Sequence, residues 1–238
     1  MNPSTTPVRS YRNPTTNGAR LAAHAVSFAY GGGSARVAHD WSAEFRAGEV
    51  SAITGPSGCG KSTRLYLLAL MLGLDGGIVE LDGHRVDDLP DAERARLRAT
   101  RFGFVFQDAA LDSTRSVMDN VLEAALYRGQ DPADLRPRAE TLLAQMGVDI
   151  PVDRRPGQIS GGQAQRIAVC RALVGAPDVV FADEPTGNLD PGSAAAVLGM
   201  LREHADSGAA VVIVTHDPDI ASWADQHLPL TSHQSLSA

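Results

Sequence analysis

Short runs that are apolar at nearly every position punctuate this chain, and the stretches between them carry helical spacing. The runs are Val50–Thr54, 179–182 and 209–214. A strand with one wet face would alternate apolar and polar residues; a run without alternation is buried on both faces. Such strands belong to a mostly parallel sheet covered by helices. The helical stretches are 61–72, a charged segment over 93–98, 161–174 stopped by Gly175 and Pro177, and 194–204. Near the N-terminus the pattern changes to true alternation. Val26, Phe28 and Tyr30, then Trp41, Ala43 and Phe45, read as two strands joined by Gly31-Gly32-Gly33. An aromatic strand over 102–106 ends at Gln107.

Residues 113–150 read as helical. Leu135, Ala139, Leu142, Leu143 and Met146 keep helical spacing, and Pro132 suits a first turn. This stretch interrupts the alternation of strand and helix, so a separate helical lobe is expected over about 108–160. Residues 1–18 are rich in Pro, Thr and Asn without an apolar core, which reads as a disordered extension and not a signal peptide. The expected division is an extension over 1–20 and one globular domain over 21–238.

Composition adds limits. The longest apolar run, 65–74, is about half the ~20 residues that a membrane span needs. A cytosolic chain is expected, with any membrane role supplied by a partner. The formal net charge is −7, from 21 basic and 28 acidic residues, which argues against broad nucleic-acid binding. The two cysteines, Cys59 and Cys170, form no disulfide framework and are expected to be buried reduced thiols.

The chemistry begins at Gly55-Pro56-Ser57-Gly58-Cys59-Gly60-Lys61-Ser62-Thr63, which fits the phosphate-binding pattern G-x-x-x-x-G-K-[ST]. Glycines let phosphate oxygens approach backbone N–H groups closely. A strand before the loop and a helix after it provide the context the pattern needs. Downstream, Ser160-Gly161-Gly162-Gln163 opens a helix, so its N–H groups and dipole can hold an anion. Asp183 ends an apolar strand, and Glu184 and Pro185 follow it.

These three stretches, in this order, resemble the Walker A, signature and Walker B motifs of ATP-binding cassette (ABC) ATPases. The resemblance covers roughly 21–228. It implies a P-loop NTPase fold of the α/β class, with a mostly parallel core sheet, an antiparallel β subdomain and a helical lobe. It also implies ATP and Mg²⁺. Lys61 would hold the β- and γ-phosphates, Ser62 and Asp183 would serve Mg²⁺, and Thr63 would reach the α-phosphate. Glu184 would orient or deprotonate the attacking water. Gln107 matches the glutamine that reaches Mg²⁺ and the water, and His216 matches the histidine at the γ-phosphate. Tyr30 matches the aromatic that stacks on adenine. Asn188-Leu189-Asp190 looks like the D-loop at a dimer interface, and Arg166 matches a basic residue after the signature. In the family the signature completes the ATP site of the opposing subunit, which implies a homodimer or pseudo-dimer.

The chain departs from the family pattern in three places. Ile159 stands for the usual leucine before the signature. Arg64 stands for leucine after the P-loop, which predicts an exposed face at the start of that helix. No aspartate-glycine strand turn follows Asp225, which predicts a rebuilt edge there.

Asp183-Glu184-Pro185-Thr186-Gly187-Asn188-Leu189-Asp190 resembles the branch of lipoprotein-release, macrolide-export and antimicrobial-peptide-export ATPases. Phe102-Gly103-Phe104-Val105-Phe106-Gln107 and Thr215-His216-Asp217-Pro218 agree with it. That branch implies a separate membrane permease, an ATPase peripheral on the inner face of the membrane, and no nucleic acid. Val117, Val121 and Leu122 are candidates for the groove that receives the permease. The alternative is a soluble ABC-type ATPase of translation or DNA maintenance. The first usually carries two cassettes and a basic linker; the second carries a coiled coil between P-loop and signature, and no sustained heptads separate Gly55 from Ser160 here.

Overall fold

The computed structural model describes residues 19–32, 37–187 and 189–231. The extension expected over 1–18 lies outside these residues, as does Asn188.

Two sheets organise the chain. β1 (Ala19–Phe28), β2 (Ala38–Arg46), β4 (Gly76–Leu81) and β5 (His84–Arg85) form an antiparallel sheet in the order β2-β1-β4-β5. β3 (Val50–Thr54), β6 (Phe102–Val105), β7 (Val179–Asp183), β8 (Ala210–Val214) and β9 (Gln226–Pro229) form a parallel sheet in the order β6-β7-β8-β3-β9.

The central strands show why the apolar runs lack alternation. Val180 and Ala182 of β7, with Val211 and Ile213 of β8, enter one core. Val179 and Phe181, with Ala210, Val212 and Val214, enter the other. Successive side chains of a strand point to opposite faces, so both faces must be covered. The first core is closed by α3 (Val117–Val121), α5 (Pro132–Gln145), α6 (Gly161–Leu173) and α7 (Pro191–Asp206). The second is closed by α1 (Lys61–Leu68) and the antiparallel sheet. Phe181 is fully buried, with ring centroids 5.2 Å from Phe102 and 5.6 Å from Phe104.

Ion pairs tie the sheets together. Arg101, at the end of α2 (Asp91–Arg101), donates to Asp82 at 2.6 Å and also to Asp178. Arg20 of β1 donates to the other Asp82 oxygen at 2.8 Å. Asp82 is buried. Replacing Arg101 would leave the buried Asp82 carboxylate with Arg20 as its remaining ion-pair partner.

Four expectations need correction. The helix predicted over 61–72 stops at Leu68, because Leu70 turns to φ 58°. The stretch 113–150 is three helices, with α4 (Glu123–Arg128) ended by Gly129 in the left-handed region. Val117 and Val121 are fully buried and Leu122 nearly so, so they are core residues and cannot line a groove. Arg64 does not begin an exposed face; it is 4% exposed. Its Nη1 donates to Cys59 O at 3.0 Å and Gly60 O at 3.2 Å, and its guanidinium lies 5.6 Å from the Trp41 ring centroid. Trp41 of β2 and the carbonyls of the P-loop lie against Arg64, so this side of the helix faces protein; the long stem lets an arginine fill it.

Candidate active site

The carboxyl ends of β3, β6, β7 and β8 converge, where open α/β sheets place their ligands. β3 runs into the P-loop. Gly55 has φ 150°, and a Cβ there would lie 2.6 Å from Leu230 O and 2.8 Å from Cys59 Sγ. Gly60 has φ 86°, and a Cβ there would meet Val37 Cγ1 at 2.4 Å. At both of these loop positions sterics demand glycine. Lys61 Nζ donates to Gly55 O at 2.9 Å and Pro56 O at 3.1 Å. Its charge therefore stays over the loop that would cradle phosphate.

At the end of β7 Asp183 is buried, and the Ser62 hydroxyl hydrogen-bonds it. Tyr66 Oη donates to Asp183 Oδ2 at 3.4 Å. Burial pushes the Asp183 carboxyl above its usual pKa, against the opposing pull of these two hydroxyls and of Lys61. Tyr66, Gln107 and Asp183 line one cavity of about 520 Å³.

Glu184 adopts φ 47°, a left-handed conformation that costs a non-glycine residue roughly 1–3 kcal/mol. Three contacts, from the last residue of β8 and the two residues after it, hold it there. Its N–H donates to Val214 O at 2.8 Å, Thr215 Oγ1 donates to its Oε2 at 3.1 Å, and His216 Nδ1 lies 2.8 Å from its Oε1. The hydrogen bond and charge of Glu184 raise the His216 pKa.

Tyr30 lies in a short turn after β1, more than half exposed, with its hydroxyl 3.2 Å from Thr63 Oγ1 and its ring edge-on to Phe28. Gln107 follows β6 and is exposed. Cys59 is half-buried, not buried as expected, because the loop leaves it at the surface; Cys170 is buried.

The signature stands apart. Ser160 is the N-cap of α6: its Oγ accepts from Gln163 N at 3.2 Å, and its N–H donates to Gln163 Oε1 at 2.9 Å. None of the hydrogen bonds among the described residues joins Ser160, Gly161, Gly162 or Gln163 to the P-loop. Asp190 caps α7, accepting from Ser193 N at 3.0 Å and Ser193 Oγ at 2.6 Å, and these bonds lower its pKa. Arg166 donates to Met146 O at 3.0 Å.

Motif reasoning did not single out Tyr66, Gln165 or Arg171. Gln165 Nε2 donates to Phe106 O at 3.0 Å, and Arg171 donates to Ala109 O at 2.8 Å and Ala110 O at 2.7 Å. Their acceptors are backbone carbonyls distant in sequence, which leave no trace in residue type.

The arrangement is matched by known proteins. The sequence profile of the family described as ABC transporter matches residues 38–187. The lipoprotein-releasing system ATP-binding protein LolD of Paramagnetospirillum magneticum is 45% identical over 184 residues, 77% of this chain and 81% of that protein. The macrolide export ATP-binding/permease protein MacB of Nitrosomonas europaea is 42% identical over 200 residues, which cover 83% of this chain and 30% of that longer protein. The ATP-binding cassette MJ0796, solved as a dimer in a post-hydrolysis state with ADP and Pi, superposes with a TM-score of 0.81 at 28% identity, covering 90% of this chain and 97% of the other.

Proposed function

This chain belongs to the ABC transporter family of ATP-binding cassette ATPases, and on that premise we propose that two cassette chains bind ATP between them and hydrolyse it to drive a separate membrane permease. The permease would serve export, or the handling of lipoproteins or peptides; LolD and MacB support that reading. A translation or DNA-maintenance ATPase is not favoured.

The observation that carries the chemistry is Glu184, held beside the P-loop by Thr215 and His216. Its carboxylate takes or aligns the proton of the attacking water. Lys61 and the backbone of Gly55, Pro56, Ser57, Gly58, Cys59 and Gly60 hold the phosphates, Thr63 reaches the α-phosphate, and Tyr30 stacks on the base. Ser160, Gly161, Gly162, Gln163 and Asp190 face the nucleotide of the partner chain, which agrees with their separation from the P-loop within one chain.

The donors fit Mg²⁺. Ser62 and Asp183 are already hydrogen-bonded, and Gln107 lines a cavity with Asp183, giving oxygen ligands of the kind this hard cation prefers. The ion would supply charge neutralisation on the β- and γ-phosphate oxygens.

No helix among the described residues is long and apolar enough to cross a membrane. In the proposed assembly the permease carries the membrane step and this chain sits peripherally on it. With Val117, Val121 and Leu122 buried, the docking groove moves to a cavity of about 290 Å³ lined by Phe104, Phe106, Ala110, Ala124 and Tyr127. Phe106 and Ala110 flank Gln107, which connects this groove to the ATP site. The helical lobe over 108–160 would carry its outer wall. Steady-state ATPase of the Glu184→Gln chain tests the catalytic assignment, and cysteine cross-linking from position 127 to the permease tests the groove. Wild-type turnover in the first, or absence of a cross-link in an active complex in the second, would refute the respective claim.

A further inference from the structure

The loop carrying Gln107 contains a conformational problem. Ala109 and Ala110 are consecutive non-glycine residues at φ 61° and φ 45°. L side chains resist this region, so other contacts must hold the loop. Local bonds supply part: Ala109 N donates to Phe106 O at 3.2 Å, and Ala110 N to Asp108 O at 2.7 Å. The remainder comes from α6, the helix that the signature opens. Arg171 Nη2 donates to Ala109 O at 2.8 Å, and Nη1 donates to Ala110 O at 2.7 Å. One planar guanidinium thus grips both left-handed residues. Its side chain is 12% exposed, and Glu123 Oε2 lies 3.9 Å away.

We propose that Arg171 is a positioning residue for ATP hydrolysis: it locks the strained 109–110 backbone and thereby places Gln107 in the cavity it shares with Asp183. The proposal rests on the role given to Gln107 above. Two features make the grip specific. A lysine would keep the charge near Glu123 but cannot donate to two carbonyls through a rigid planar fork. Glycine at 109 and 110 would adopt the same φ without the steric penalty, and so would need the grip less. Arg171 and Glu123 also line the groove beside β6, and Tyr127 donates to Glu123 Oε1 at 3.1 Å. A chain seated in the groove would therefore touch the side chains that hold the loop.

The test uses the full chain with Mg²⁺ and ATP, measuring nucleotide affinity and steady-state turnover separately. Arg171→Lys should leave ATP affinity within about twofold and lower kcat roughly tenfold, the signature of a displaced group acting after binding. Adding Ala109→Gly and Ala110→Gly to Arg171→Lys should recover about threefold or more of that loss, because the glycines remove the strain. A residue needed only for folding would not be rescued this way. Wild-type kcat in Arg171→Lys, or a loss that the glycines do not restore, would overturn the proposal. Gln107→Ala is measured alongside. If that variant keeps wild-type turnover, the role of Gln107 fails, and the route from Arg171 through it fails with it. If Gln107→Ala is slow but Arg171→Lys is not, only the positioning claim falls.

Discussion

His216 Nδ1 stands 2.8 Å from Glu184 Oε1, joining the ends of the adjacent strands β8 and β7. The Glu184 bond and charge raise the imidazole pKa above its usual 6.5. A raised histidine favours the protonated folded state, so the pair's contribution to stability is complete below pH 6.5 and fades as pH rises through the raised value. By NMR, His216 should titrate above 6.5, and Glu184→Gln should bring it back down. A titration at or below the usual value with Glu184 in place would contradict the pairing.

Glu184→Gln keeps the shape of the side chain and removes its charge. ATP binding should survive, while turnover falls by about 100-fold or more, the range for loss of a general base. The ATP-loaded variant should run as a dimer in size-exclusion chromatography, and Ser160→Arg should block that dimer through bulk and charge at the partner's phosphate. Lys61→Ala should lose ATP binding as well. A monomer at saturating ATP in Glu184→Gln would count against the shared site.

Phe181 is fully buried between Phe102 and Phe104. Phe181→Ala should lower stability by about 3–5 kcal/mol, from lost transfer energy and an unfilled cavity. Urea unfolding reads this directly. A loss below about 1 kcal/mol would mean that the second core collapses to fill the space.

The two thiols should separate cleanly. Burial pushes the Cys170 thiol up to about 12, so it should stay unreactive until the chain unfolds. Cys59 is half-buried in the P-loop and should be labelled in the native chain, with ATP protecting it. Two rapidly labelled thiols in the native protein would contradict the packing of α6.

The central strands were legible because burial on both faces writes itself as uninterrupted apolar residues. β7 and β8 match their expected ranges to within a residue. β9 was not legible. Its residues are Gln226, His227, Leu228 and Pro229, with little apolar pattern. Pairing with β3 makes the strand, helped by Ser51 Oγ donating to Gln226 Oε1 at 3.0 Å. β4 was hidden by its leading Gly76-Gly77. Lys61, Asp183 and Glu184 stood out in the sequence as candidates because the chemistry proposed for them fixes residue type and spacing. Arg64 misled because a charge suggests solvent, whereas its place beside Trp41 and its carbonyl partners decide its burial. Tyr66 reaches Asp183 across 117 positions, a contact that sequence spacing does not encode.

β7 has one further consequence, for mutational tolerance. Its side chains alternate between two cores, and the same five-residue count ends at Asp183 with Glu184 next. Inserting or deleting one residue within Val179–Asp183 would exchange what each core receives and turn the carboxylate to the opposite side of the sheet. Packing and chemistry share a single frame here. Sequence drift in this strand can swap one apolar side chain for another, but it cannot change the length of the strand.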